Sequence, residues 1–161
     1  MPRIGTDEAG ANVAAVLDTI AWSEIGPALL AKSDDGYNVL VGATAAVPLT
    51  FPDYSQHPKV LNRVFNSTAA GRYQFIFSTW YALQEELHLP DFSPMSQDYA
   101  AIQLIHECDA IADAAAGYLD RVVRKCAPIW ASLPGAGYHQ RENRMADLIA
   151  AYKAAGGEYF T

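Results

Sequence analysis

Apolar positions near the start of the chain recur at helical spacing. Val13, Val16, Leu17, Ile20 and Ala21 fall three or four residues apart, which predicts a helix over residues 12–24. Gly26-Pro27 closes it. Between residues 37 and 47 the period changes: Val39 and Val41 stand among small residues close to Gly42, a pattern that predicts a short β-hairpin or irregular sheet. Pro48, Pro52 and Pro58 then punctuate a polar and aromatic surface loop over residues 50–58, of the kind that is usually functional or disordered. A small-residue turn surrounds Gly71. Helices are expected over residues 78–88 and, from the Ser93-Pro94 start signal, to about residue 108. Helical pieces over 110–116 and 119–127 end at Pro128, one more turn follows over 129–133, and Pro134-Gly135-Ala136-Gly137 is a loop. The last helix is expected over residues 141–155, stopped by Gly156-Gly157. The pattern predicts one α+β domain over residues 1–161, mostly helical with a small β insertion.

Composition narrows the class. Hydrophobic residues make up 51% of the chain and charged residues 18%, below the usual charged share of about 25%, as in a dense globule. The net charge of −7 argues against a nucleic-acid partner, because phosphate binding needs clustered cations. The densest cationic group, Arg121, Arg124 and Lys125, reads as a solvated helix face. Cys108 and Cys126 lack zinc spacing and read as reduced core residues, with a disulfide open to them in an oxidising compartment. His57, His88, His106 and His139 show no metal spacing, and neither a nucleophile elbow nor a phosphate-cradling loop occurs. No cofactor and no metal are expected. The first residues lack a basic region followed by an apolar run, and residues 11–31 contain Asp18, Glu24 and Pro27. The expectation is a protein made in the cytoplasm, with no stable membrane association.

One residue departs from the pattern. Leu17, Ile20 or Ala21, and then Glu24 share a helix face, so a carboxyl continues the core-facing stripe beside Trp22 and Ser23. Desolvation there raises the pKa, as a general acid working near neutrality requires. Against this, the helix can simply end at Glu24 and leave it in water. Glycosidic cleavage usually takes two carboxyls, and the candidates for a second are Asp34, Asp35 and Asp53, all in loop contexts.

Six motifs occur in order: Ala21-Trp22-Ser23-Glu24; Gly36-Tyr37; Asp53-Tyr54-Ser55 with His57-Pro58; Ala70-Gly71-Arg72-Tyr73-Gln74; Asp91-Phe92-Ser93-Pro94 with Ser96-Gln97-Asp98; and Ile129-Trp130-Ala131-Ser132-Leu133-Pro134-Gly135-Ala136-Gly137-Tyr138. Together they resemble the lambda-type lysozyme-like lytic transglycosylases of glycoside hydrolase family 104, over about residues 14–157. The resemblance implies a lysozyme-like fold with a cleft between a helical lobe and the β part, and Glu24 as the single catalytic acid. It implies cleavage of peptidoglycan between N-acetylmuramic acid and N-acetylglucosamine with closure of a 1,6-anhydro ring, in place of hydrolysis. Tyr37, Tyr54, Tyr73, Gln74 and Tyr138 match positions that would line the substrate site, with residues 50–58 and 134–141 as the lips of the cleft. The plainer reading of Arg72 is a brace for the turn it lies in, and Trp22, Trp80 and Trp130 read as core. The family pattern carries an Asp after Gly-Tyr where this chain has Asn38. The resemblance further implies a phage endolysin, monomeric, with glycan strands as its partner. A separate pore-forming protein, a holin, would release it from the host cytoplasm to the wall. The alternatives are a muramidase pairing Glu24 with an Asp, and a non-catalytic glycan-binding phage protein.

Overall fold

In the computed structural model, which describes residues 1–137 and 142–161, Gly10 at φ 83° ends α1 (Gly5–Ala9) and leads into α2 (Ala11–Ile25). Helix α2 is buried on more than the expected stripe: Ala14, Ala15 and Thr19 are covered as well as Val13, Val16, Leu17, Ile20 and Ala21. A helix apolar on most sides belongs inside a core. The lone hydroxyl in its middle, Thr19, donates to Ala15 O at 2.7 Å, which removes the cost of burying it. After Gly26 (φ 83°) the chain starts a second short helix, α3 (Pro27–Leu30), with proline in its first turn.

The later helices are α4 (Phe77–Leu87), α5 (Pro94–Glu107), α6 (Ile111–Ala115), α7 (Leu119–Cys126) and α8 (Met145–Ala154). The chain divides into two units, one of Met1–Glu24 with Ala101–Thr161 and one of Ile25–Ala100. No helix among the described residues is long and apolar enough to cross a membrane.

In the first unit, α7 shows the sorting of faces most clearly. Leu119, Val122, Val123 and Cys126 are buried, while Lys125 pairs with Asp113 at 2.9 Å and Arg121 lies 3.4 Å from the same carboxylate. The cationic group is a solvated face, as its spacing predicts. Helix α8 starts at Met145, later than its apolar pattern suggests. Residues 142–144 are not helical, because Glu142 and Asn143 are committed to partners in the preceding loop. Residue 141, the expected start, lies outside the described residues.

The second unit has no sheet, and the expected α+β class with a β insertion is corrected here. The described residues between 37 and 76 make isolated antiparallel bridges only: Val39 with Thr50, Leu40 with Ala70, Asn62 with Ser67, and Ala70 with Phe75. Pro48 and Pro52 bracket Thr50 and carry no N–H to extend the pairing. On the other side the backbone turns sharply, with Gly71 at φ 82° and Gln74 at φ 51°. Each pairing therefore stops after one contact, and the β wall expected for a cleft is absent.

Packed aromatic rings take the place of a sheet. Phe92 meets Trp80 at 4.5 Å, His57 at 4.8 Å and Phe51 at 5.8 Å between ring centroids. The stretch over residues 50–58 is therefore pinned by buried Phe51 and His57. His57 is held as one tautomer: its Nδ1 accepts the Lys59 N–H at 3.1 Å, so Nε2 donates to Phe75 O at 2.8 Å. Burial lowers its pKa, consistent with a neutral ring.

A polar cluster is also buried in this unit. Gln97 is fully buried; its Oε1 accepts the Arg72 N–H at 2.9 Å and its Nε2 donates to Phe92 O at 2.9 Å and Tyr37 O at 3.1 Å. Gly71 makes room for it, since a Cβ there would lie 2.2 Å from Gln97 Oε1. Gly71→Ala should therefore cost about 2–4 kcal/mol, from left-handed strain and overpacking together. Gly10→Ala, at φ 83° and ψ 146° with nothing within 4 Å of its Cβ, should cost only backbone strain, about 1–3 kcal/mol. Urea denaturation of both variants checks this, and equal losses would mean that Gly71 is needed for its φ alone.

Candidate active site

Glu24 lies in the last turn of α2, where the helix carbonyls disfavour negative charge. Its carboxyl is largely removed from water, and this desolvation pushes its pKa above the usual carboxylate range. Hydrogen bonds from the Ser132 hydroxyl and the Ser132 backbone pull the other way and do not cancel the shift. The hydroxyl contact, Ser132 Oγ to Glu24 Oε1, is 2.5 Å. The reading of Glu24 as a solvated helix end does not describe this environment.

Ser132 is delivered by the turn after α7. Trp130 and Leu133 are buried, and Trp130 N–H and Ile129 N–H both donate to Cys126 O, at 3.2 and 2.9 Å. With its flanking side chains anchored, Ser132 has little freedom. Its Oγ lies 2.7 Å from Ser23 Oγ, and Asn143 Nδ2 lies 2.9 Å from Ser23 Oγ. The same amide nitrogen donates to Ser23 O at 3.2 Å, and Asn143 N–H donates to Ser132 O at 2.9 Å.

The direction of these bonds follows from chemistry. Carbonyl oxygens only accept, so the group of Asn143 facing Ser23 O is its NH₂. Ser23 Oγ accepts from that NH₂ and gives its own hydrogen to Ser132 Oγ. Ser132 gives its hydrogen to Glu24. Three donors in series thus point at Oε1, and each polarises the next. The bond that Oε1 accepts from Ser132 favours Oε2 as the seat of the proton in a neutral Glu24. The arrangement suits a group that releases a proton and takes one back.

Glu142 organises the adjoining loop. Its carboxylate accepts Gly135 N–H at 3.0 Å and Gly137 N–H at 2.8 Å, and these bonds lower its pKa. Tyr138 falls outside the described residues, as does His139.

The remaining expected site residues belong to the second unit. Tyr37 and Tyr73 have no exposed surface, and their hydroxyls both donate to buried Asp98 Oδ1, at 2.8 and 2.5 Å. Burial and the nearby Asp98 push the Tyr73 pKa far up, consistent with a phenol that stays protonated. Arg72, equally buried, stacks near both rings and pairs with Asp35 at 2.9 Å. These groups support the turn of Gln74, whose Nε2 donates to Gly71 O at 2.8 Å. Tyr54 is partly exposed, and its hydroxyl donates to Asp34 Oδ2 at 2.7 Å. Asn38, standing where the family pattern has Asp, accepts the Asp34 N–H through Oδ1 at 3.0 Å, a task either residue type performs.

Spacing in the sequence singles out Glu24 but not its partners. Ser23 carried one usable signal, a hydroxyl on a buried helix face that demands a partner. Asn143 carried none, because its partner Ser23 is 120 residues away.

The chain matches the family described as Endolysin over residues 14–159. It is 45% identical to the endolysin of Escherichia phage P2 over 98% of each chain. It is 44% identical to the endolysin of Escherichia phage lambda over 89% of this chain and 90% of that one. In three dimensions it is similar to bacteriophage lambda lysozyme complexed with a chitohexasaccharide, with a TM-score of 0.83 at 41% identity over 93% of this chain and 97% of that one. A second structure of lysozyme from bacteriophage lambda gives a TM-score of 0.80 at 40% identity over the same shares.

The raised pKa also predicts how stability varies with pH. A carboxyl whose folded pKa lies above its unfolded value favours the fold fully below the unfolded pKa, and that contribution is lost as pH rises through the folded pKa. Glu24→Gln keeps the shape and an acceptor for Ser132 but cannot ionise. Its Tm should match that of the parent below pH 4.5, the ordinary value for Glu, and exceed it increasingly towards neutrality. Calorimetric scans across this range check the trend, and a difference independent of pH would show that ionised Glu24 is not desolvated.

Proposed function

The chain belongs to the endolysin family, and on that premise we propose that it cleaves bacterial peptidoglycan glycan strands as a lytic transglycosylase with Glu24 as its one catalytic carboxyl. The observation that carries this reading is the desolvated Glu24 with its Oε1 held by Ser132. Binding a glycan does not need a carboxyl with a raised pKa. Proton transfer does, and positioned groups of this kind contribute typically ~10²–10⁴-fold in rate. The chitohexasaccharide bound by the related lambda lysozyme supports a glycan substrate.

In the proposed reaction Glu24 Oε2 gives its proton to the glycosidic oxygen between N-acetylmuramic acid and N-acetylglucosamine. The C1–O bond breaks, the glucosamine leaves with a free 4-hydroxyl, and positive charge develops at C1 of the muramic acid. The C6 hydroxyl of the same sugar attacks C1 and closes the 1,6-anhydro ring. Its proton passes to Glu24, which is restored to its starting form, and no water is consumed. Ser132 stabilises the carboxylate during its short life. The internal nucleophile has an effective concentration of up to ~10⁵–10⁸ M in well-oriented cases, so no second carboxyl is needed to activate water.

The three aspartates considered as partners support this reading because each already has local work. Asp34 accepts from Tyr54, Asp35 pairs with buried Arg72, and Asp53 accepts from both the N–H and the hydroxyl of Ser55. Contact with the sugars is assigned to Tyr54, Gln74 and Tyr138, with Tyr37 and Tyr73 acting behind the turn.

Digestion of peptidoglycan in ¹⁸O-labelled water, followed by mass spectrometry, tests the chemistry. The muramic acid ends should be one water lighter than hydrolysis products and carry no label, and Glu24→Gln should release nothing. Asp53→Asn should keep most of the activity. Labelled reducing ends would instead establish a muramidase.

A further inference from the structure

The first unit holds a pair of thiols that the proposed chemistry does not use. Cys108 follows the end of α5 and is partly exposed, whereas Cys126 ends α7 and is fully buried. The two helix ends are brought together by contacts independent of sulfur. Lys125 Nζ donates to the backbone carbonyl of Asp109 and lies 3.4 Å from the Asp109 carboxylate, so the residue before Cys126 is tied to the residue after Cys108. The same ammonium pairs with Asp113 at 2.9 Å. Backbone bonds fix both cysteines: Cys108 N–H donates to Leu104 O at 3.0 Å, and Cys126 O receives the N–H groups of Ile129 and Trp130. The two thiols are hydrogen-bonding neighbours across this junction.

We propose that Cys108 and Cys126 form an oxidisable dithiol that closes to a disulfide when the folded protein meets a disulfide oxidant, locking the end of α5 to the end of α7. The oxidant is a small disulfide or a dithiol–disulfide oxidoreductase in its oxidised state. Cys108, the accessible thiol, loses its proton and attacks one sulfur of the oxidant. This forms a mixed disulfide and releases the first oxidant thiol. Cys126 then attacks Cys108 Sγ and expels the second oxidant thiol. Two electrons pass from the cysteines to the oxidant, and the two protons end on its thiols. Burial raises the pKa of both cysteines, most strongly that of Cys126, so closure is slow near neutrality and accelerates as pH rises.

A bond between these positions closes the loop containing α6 and α7 and constrains the unfolded chain. Its cellular timing rests on the proposed function: the pair stays reduced in a glutathione-buffered cytoplasm and closes beside the wall, where disulfides persist. The bond itself is read without any measure of lysis, so its failure and the failure of the catalytic reading are distinguishable.

The folded, purified protein is incubated at pH 8 with oxidised glutathione, blocked with an alkylating agent and mapped by mass spectrometry without reduction. The expected result is a linked pair of peptides containing Cys108 and Cys126, two hydrogens lighter than their sum. It should be accompanied by a Tm higher by roughly 5–15 °C than that of the reduced protein. Cys126→Ser should stop at a glutathione adduct on Cys108, and Cys108→Ser should remain unmodified. The proposal is overturned if the folded parent protein yields only the Cys108 adduct, or if the link forms only after the protein is unfolded in urea.

Discussion

The short hydrogen bond from Ser132 to Glu24 is the contact on which the proposed chemistry depends. A carboxyl removed from water resists ionisation, and at the C-terminal end of a helix it resists further. Left without a donor it would stay protonated and return no proton. Given too many donors it would ionise and have none to give. Ser132, backed by Ser23 and Asn143, opposes the shift without cancelling it, its hydroxyl donating to Oε1. Much of the local architecture serves this contact. Trp130 and Leu133 anchor the turn that carries Ser132, and residues 142–144 stay out of α8 so that Glu142 and Asn143 can reach their partners.

The second unit faces a different constraint. Its backbone between α3 and α4 forms no sheet, so the order a ladder would impose comes from side chains. Aromatic rings gathered on Phe92 provide the apolar part. Gln97 and Asp98, neighbours at the start of α5, satisfy the polar part by binding the backbone around Arg72 and the hydroxyls of Tyr37 and Tyr73. Breaking one partner of such a buried network leaves others unsatisfied in a poorly polarisable interior, which makes the turn around Gly71 stiff. A stiff turn is a suitable support for Gln74.

What could be read from the sequence was local. The apolar spacing of α2 and the Ser93-Pro94 start signal of α5 locate those helices, and the carboxyl on the stripe of α2 marks Glu24 as a candidate. The change of period around Val39 and Val41 predicts a short β-hairpin or irregular sheet, yet the prolines on either side of Thr50 and the sharp turn at Gly71 reduce it to single bridges. Residues 142–144 look helical from their neighbours, but the tertiary bonds of Glu142 and Asn143 hold them out of α8, which begins at Met145. Tyr37 and Tyr73 carry the composition of a sugar platform, and their acceptor, Asp98, lies 61 and 25 residues away in sequence. Only the folded chain brings that acceptor to them. The Ser23–Asn143 contact is of the same kind.

Desolvation raises the pKa of Glu24, and Ser132 opposes that rise. Titration of the ¹³C-labelled Glu24 carboxyl by NMR, in the parent protein and in Ser132→Ala, measures this directly. The parent pKa should lie above the ordinary 4.5 and rise further when the hydroxyl is removed. A parent pKa at or below 4.5, or a fall in Ser132→Ala, would contradict it.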